Sequence, residues 1–220
     1  GAAPVQNIGA YAVEQKDVFV SLSGVDLIKK EIVHLSKEEC KFGYRTTIFK
    51  EELKDRFIVT SVQYKLSRKK QFNLSYKELE QEVNKFPGVN IDLQYIFDTV
   101  CRIRKSKLPG VEEIGNAGSF FKNPYISSEK YNELLEIYPA IKAYTSGAQY
   151  KLSAGWLIEQ CGWKGKRNGD AGVYYKHALI LVNHGNAIGK EILALANEIQ
   201  NSVLQKFGVN LEPEVLIIRN

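Results

Sequence analysis

The 220-residue chain has no methionine and only three cysteines, and its longest apolar run, Ala178 to Val182, is five residues. A helix that spans a bilayer needs about 20 consecutive apolar residues, so no membrane partner is expected. No apolar leader with a cleavage site opens the chain, and a cytoplasmic protein is expected. Cys40, Cys101 and Cys161 lie far apart with no paired spacing. That argues against a zinc site or any other metal centre and against a disulfide framework, and for small buried apolar side chains. The missing methionine, with an opening at Gly1 on a motif that looks internal, makes the chain read as part of a longer protein. The net charge of +5 suits anionic ligands such as phosphates. Lysines and acids alternate instead of clustering, so no nucleic-acid partner is expected. There is no internal repeat and no low-complexity segment.

What is present is a mixture of strand and helix patterns. With 44% hydrophobic residues the chain can bury one large core or two modest ones. DVFVSL, EIVHLS and FIVTSVQYKL, between Asp17 and Ser67, are short, rich in Val, Ile and Phe, and bounded by turn residues, which predicts a mixed or antiparallel sheet. Ser75 with Glu78 reads as a capping box for a short helix through Leu79 and Val83. Ile96, Val100 and Ile103 recur at helical spacing, and the basic run RKSKLPG then ends at Pro109 and Gly110, the expected domain boundary. Beyond it, Ser127 or Ser128 caps a helix through Ile137, and Ser153 starts another closed by Gly162. HALILVN reads as a buried strand. The clearest helix runs from about Ala187 to Phe207, with Ile188, Ile192, Leu195, Ile199 and Val203 as its core stripe and Gly208 as its end. The class is α+β.

Three short segments carry chemistry-bearing residues. GNAGSFFKNP, Gly115 to Pro124, sets Ser119 among flexible glycines, where a hydroxyl can be presented to a ligand. Arg45 in FGYRTTIFK offers a planar fork that holds a carboxylate bidentately. LEPEV holds Glu212 and Glu214 around Pro213; two residues apart share a strand face, but the proline can break that alternation, so residue pattern leaves the choice between them open. A fourth segment, GAAPVQNIGAY at Gly1 to Tyr11, has the small residues that let backbone lie against a flat ligand. In their order along the chain and over essentially its whole length, the four segments resemble the UDP-N-acetylenolpyruvoylglucosamine reductase family of bacterial peptidoglycan synthesis, in the branch with a tyrosine-bearing loop.

The resemblance implies a flavoprotein oxidoreductase of the cell-wall pathway with FAD and NADPH as cofactors and UDP-N-acetylglucosamine enolpyruvate as substrate, acting as a monomer. It implies the remainder of a FAD-binding domain of the vanillyl-alcohol-oxidase-like fold over residues 1–107, a smaller α+β substrate-binding domain over 109–208, and a strand over 209–220 returning to the flavin side. In the family a Gly-rich flavin-phosphate loop lies upstream of this opening, so flavin binding by these residues alone is expected to be incomplete. By motif, Arg45 and Glu214 stabilise the enol-like intermediate and Ser119 delivers a proton after hydride transfer. Gly1, Ala2, Gln6, Asn7, Ile8, Gly9 and Ala10 would line the flavin, with Gln6 and Asn7 at its ring edge. Tyr76, Lys107, Asn123, Tyr144, Lys151 and His177 fall where the family contacts its UDP-sugar; His177 stands where the family has glutamine. Two other readings stand beside this one: a catalytically silent nucleotide-sugar-binding relative or fragment, and an oxidase of the wider flavoprotein fold.

Overall fold

The structure, a computed structural model, describes residues 2–69, 71–86, 88 and 90–218. Gly1 lies outside the described residues. The fold is α+β and divides into two compact units, residues 1–103 and 104–220. The division falls inside a helix, a few residues before the Pro109–Gly110 boundary expected from sequence.

In the first unit α1 (Ala2–Val5) leads into a hairpin of β1 (Gly9–Ala10) and β2 (Val13–Glu14). Its two turn residues, Tyr11 and Ala12, are both left-handed, with φ of 51° and 61°. A two-residue primed turn demands this backbone, which glycine or asparagine adopts more cheaply. A three-stranded antiparallel sheet follows in the order β4-β3-β5, from β3 (Phe19–Asp26), β4 (Glu31–Ser36) and β5 (Phe57–Tyr64). These are the three strands expected, and Phe19 and Leu22 turn inward onto Cys40 and Phe49. Burial, with Glu38 and Glu39 nearby, pushes the Cys40 thiol up to about 11, so it packs as an uncharged group.

The helix α2 (Lys77–Val83) and the larger part of α3 (Leu93–Lys107), up to residue 103, follow in this unit and pack Leu79, Val83 and Ile103 together. The expected cap position changes. Tyr76, not Ser75, is the N-cap of α2. Asn73 Oδ1 accepts hydrogen bonds from the Ser75 amide at 3.1 Å and from its hydroxyl at 2.6 Å. This side-chain turn competes for the serine and moves the helix start on by one residue.

The second unit contains a four-stranded antiparallel sheet, order β10-β11-β12-β6, and a three-stranded one, order β7-β9-β8. The strands are β6 (Gly115–Ser119), β7 (Tyr125–Ser127), β8 (Ala143–Ser146), β9 (Gln149–Leu152), β10 (Arg167–Asn168), β11 (Ala171–Val173) and β12 (Ile180–Asn183). Helices α4 (Ser128–Ile137), α5 (Ala154–Gln160) and α6 (Gly189–Phe207) enclose a core built around Phe121, Leu152, Leu157, Ile158, Leu195, Ile199, Val203 and Phe207. The expected punctuation holds: Ser127 and Ser153 cap α4 and α5, and Gly208, at φ 65°, ends α6. Among the described residues no helix is long and apolar enough to cross a membrane.

Two expectations change. Ile188 is the extended N-cap residue of α6 and 59% exposed, so the core stripe starts one turn later. Among the described residues no strand follows Gly208: an isolated bridge joins Pro213 to Phe121, within the second unit. Pro213 has no N–H with which to extend a ladder.

Both tryptophans, Trp156 and Trp163, lie in the second unit, so their fluorescence reports its unfolding. Ile199→Ala, at a fully buried site, is expected to lower the urea-unfolding free energy seen by fluorescence by about 2–5 kcal/mol. Ile188→Ala is expected to stay within about 0.5 kcal/mol of the parent.

Candidate functional site

The candidate residues form two groups, one in each unit. In the first unit Asn7 organises the group. Its side chain is fully buried, and burial obliges a carboxamide to bond its hydrogens and its oxygen internally. Nδ2 donates to Glu14 Oε2 at 3.0 Å and to the Gly43 carbonyl at 2.9 Å, while Oδ1 accepts from the Lys16 amide at 3.0 Å. The side chain expected at a flavin ring edge is therefore spent inside the fold: its role is to hold segment 7–16 against residue 43.

Arg45 sits in the tight turn closed by the Gly43–Thr46 bridge, with a left-handed backbone at φ 57°. Its side chain is only 15% exposed. Nη2 donates to the Gly9 carbonyl at 2.7 Å and Nη1 to the Asn7 carbonyl at 3.4 Å. The guanidinium lies 5.1 Å from the Tyr44 ring centre, and Nη1 is 4.0 Å from Glu14 Oε1. Gly9 explains the closeness: a Cβ there would come within 2.8 Å of Glu14 Cγ and 3.2 Å of Arg45 Nη1. Around this glycine, Ala2 and Ala10 are exposed, Ile8 is 45% exposed and Gln6 half-buried. Tyr76 packs edge-on against Tyr11 with ring centres 5.0 Å apart, and Asn73 Nδ2 donates to the Ala12 carbonyl at 3.0 Å. The tyrosine segment is thus docked on the strained hairpin turn, a contact that no motif in the sequence signalled.

The second group is built on the strand β6. Ser119 is its last residue, exposed, opposite Ile180 of β12. Gly118 before it has φ 74° and open space around its missing Cβ. Phe120 and Phe121 after it are buried, so the serine stands directly before an anchored stretch of chain. Glu214 is brought beside it through backbone: its amide donates to the Phe120 carbonyl at 2.7 Å, and the Lys122 amide to Glu212 at 2.9 Å. Glu212 is 74% exposed at its side chain and pairs with Lys122 Nζ at 3.1 Å. Glu214 is half-buried. The pairing around the proline thus separates the two glutamates that residue pattern alone left equivalent.

Tyr144 and Lys151 are directly opposite on β8 and β9, and Tyr125 of β7 faces Lys151 from the other side. One row across this sheet therefore reads Tyr144, Lys151, Tyr125. Sequence reasoning missed Tyr125; the hairpin AYTSGAQYKL, turning at Gly147 (φ 60°), was the available signal. Asn123 and His177 have structural work. Asn123 Oδ1 accepts from the Ala154 amide at 2.9 Å at the start of α5, and His177 Nδ1 accepts from the Leu179 amide at 3.3 Å. A histidine accepting at Nδ1 carries its neutral-state proton on Nε2. Lys107 is the half-buried last residue of α3. Among the described residues no group of His, Cys, Asp or Glu could hold a metal ion.

Residues 110–218 match the family model for the C-terminal domain of UDP-N-acetylenolpyruvoylglucosamine reductase. A protein of that name from Flavobacterium johnsoniae is 46% identical over 220 residues, which is 99% of this chain and 65% of the relative. One from Chromobacterium violaceum is 47% identical over 99% of this chain and 64% of the relative. Over almost its whole length the chain is similar to this family. It spans just under two thirds of the length of these curated relatives. The crystal structure of the family's reductase from Thermus caldophilus has the same fold, with a TM-score of 0.60 and 24% identity over 98% of this chain and 59% of that one.

Removing the organising amide tests the first group. Asn7→Ala leaves the Glu14, Gly43 and Lys16 partners without their bonds, and an unsatisfied buried group costs about 1–3 kcal/mol. A loss of about 2 kcal/mol or more is expected in urea denaturation followed by circular dichroism, with the tryptophan-reported transition of the second unit unchanged.

Proposed function

We propose that these residues belong to a FAD-dependent reductase that uses NADPH to convert UDP-N-acetylglucosamine enolpyruvate to UDP-N-acetylmuramate in peptidoglycan synthesis. The observation that supports this most is 46–47% identity over 99% of the chain to proteins bearing the reductase name. Silent relatives keep a fold but have no reason to keep chemistry, and here Arg45, Ser119 and Glu214 are all present. The same reading takes the protein to be a cytoplasmic monomer.

The residues around Gly9 fit a flavin. Ala2, Ile8 and Ala10 expose short apolar surface suited to a flat ring, and the filled space beside Gly9 leaves its backbone uncovered by any side chain of its own. Ala2, Gln6, Ile8, Gly9 and Ala10 would hold the group, with Asn7 supporting them from inside the fold. When bound, FAD supplies the two-electron reduction, recharged by NADPH.

The remaining steps belong to the chain's own side chains. Arg45 holds the enolpyruvyl carboxylate, where negative charge accumulates as the double bond is reduced. Ser119 donates its hydroxyl proton to the adjacent substrate carbon, which is basic enough at that stage to accept one from a weak acid. Glu214 orients the reacting end. Tyr76, Lys107, Tyr144 and Lys151 read the UDP-sugar through charge-assisted hydrogen bonds and ring contact. Asn123 and His177 act at one remove, by shaping the loops they brace.

Ser119→Ala, in a protein of the relatives' full length, separates this reading from its rivals. Bleaching of the flavin absorbance by NADPH is expected to keep its parent rate in stopped flow. Recovery of the absorbance on adding the enolpyruvyl UDP-sugar is expected to slow by about 10²–10⁴ fold, the loss typical of a missing general acid. Recovery at the parent rate would remove Ser119 from the reaction. Recovery driven by oxygen and indifferent to the UDP-sugar would point to an oxidase, and no flavin signal at all to a binding protein.

A further inference from the structure

We infer that Glu14 is a positioning residue for Arg45, setting the direction in which the guanidinium meets its carboxylate ligand. The inference rests on the role proposed above for Arg45. Glu14 lies directly opposite Gly9 in the hairpin, and both its side chain and that of Arg45 occupy the space a Cβ on Gly9 would fill. Its two oxygens are divided. Oε2 accepts from Asn7 Nδ2 at 3.0 Å and pairs with Lys16 Nζ at 2.8 Å. Oε1 faces Arg45 Nη1 at 4.0 Å.

That distance is the informative one. It is too long for a hydrogen bond, so this pair takes no hydrogen from the guanidinium, yet two opposite charges at this range attract strongly in a partly buried setting. The side chains are 15% and 25% exposed, so solvent screens the pair only in part. Neutral groups also hold Arg45: the carbonyls of Gly9 and Asn7 and the ring face of Tyr44. Those contacts fix where the guanidinium sits but provide no formal negative charge. Glu14 brings a formal negative charge to the guanidinium, and its bond from Asn7 ties the carboxylate to the hairpin as well as to Lys16. An arginine bound by a carboxylate at 4.0 Å can still exchange toward a substrate carboxylate, whereas a bidentate pair within hydrogen-bond distance would compete with the substrate.

Glu14→Gln tests this with little disturbance, because the glutamine oxygen can still accept from Asn7 while the charge is lost. In the 220-residue chain labelled with ¹⁵N-arginine, the Arg45 Nη protons, assigned through Arg45→Lys, are expected to give separate resonances. In Glu14→Gln they are expected to merge by faster rotation while the melting temperature stays within about 2 °C of the parent. In a protein of the relatives' full length, KM for the enolpyruvyl UDP-sugar is expected to rise about tenfold with kcat changed less than threefold. Glu14→Gln added to Arg45→Lys is expected to cost nothing further, since the two act through one contact. Glu14→Asp, which keeps the charge with a shorter reach, is expected to restore part of both signals and serves if the glutamine variant folds poorly. Unchanged Arg45 resonances, or effects of Glu14 and Arg45 that simply add, would overturn the positioning role. Merged resonances in Glu14→Gln, with a parent protein inert toward the enolpyruvyl sugar, would uphold it and overturn the substrate reading instead.

Discussion

A carboxamide shut away from water has to find partners for its hydrogens and its oxygen, and at Asn7 those partners lie far apart in sequence. Glu14 and Lys16 belong to the hairpin and the turn after it, Gly43 to the loop that carries Arg45. Breaking any one of these bonds leaves a buried polar atom unpaired, which costs more than the bond contributes when made. The backbone bends to accommodate the arrangement. Asn7, Tyr11, Ala12 and Arg45 all have positive φ, although none is glycine. Left-handed backbone in such residues is sustained only where surrounding contacts over-determine it, and it concentrates where geometry serves a ligand.

The second unit fixes its own group, the exposed Ser119, by packing instead of polar bonding. The serine is held because Phe120 and Phe121 are driven into the core directly after it and β12 pairs alongside. Glu214 is registered to the serine by the Phe120 carbonyl, one residue away. Hydrophobic anchoring holds position along the chain well and direction less well. That suits a hydroxyl that turns freely about its own bond, whereas a guanidinium has to be aimed, and it is in the first unit that charges and amides do the aiming.

Much of the second unit was legible because its punctuation is local. Ser127, Ser153 and Gly208 act on backbone groups within one helical turn, and their sequence spacing carries that information directly. The three strands of the first unit were legible for a similar reason, as apolar runs between turn residues. What failed was decided by competition or by distance. Ser75 lost its cap to Asn73, two residues away, and Ile188 kept the helical period while lying outside the helix. The β8–β9 hairpin was hidden because its strands are only four residues each. None of the contacts of Asn7, which reach to residue 43, leaves any periodic trace.

The motif residues therefore divide by what their atoms are already doing. Asn7, Asn123 and His177 look polar and ligand-ready in sequence, yet each has a side-chain atom bonded to the backbone of its own fold. Ser119 and Tyr144 are exposed, and Tyr76 stands at the exposed end of a helix against Tyr11. Sequence similarity weighs both kinds equally, because losing a bracing amide is as damaging as losing a reacting hydroxyl. Burial and bonding distinguish them. A motif such as QNIGAY, read physically, is then mostly a device for holding bare backbone and an arginine in place, and the residue types it requires follow from that load: a carboxamide with three partners, a glycine whose missing Cβ makes room for two charged side chains, and a turn bent into left-handed backbone beneath a tyrosine.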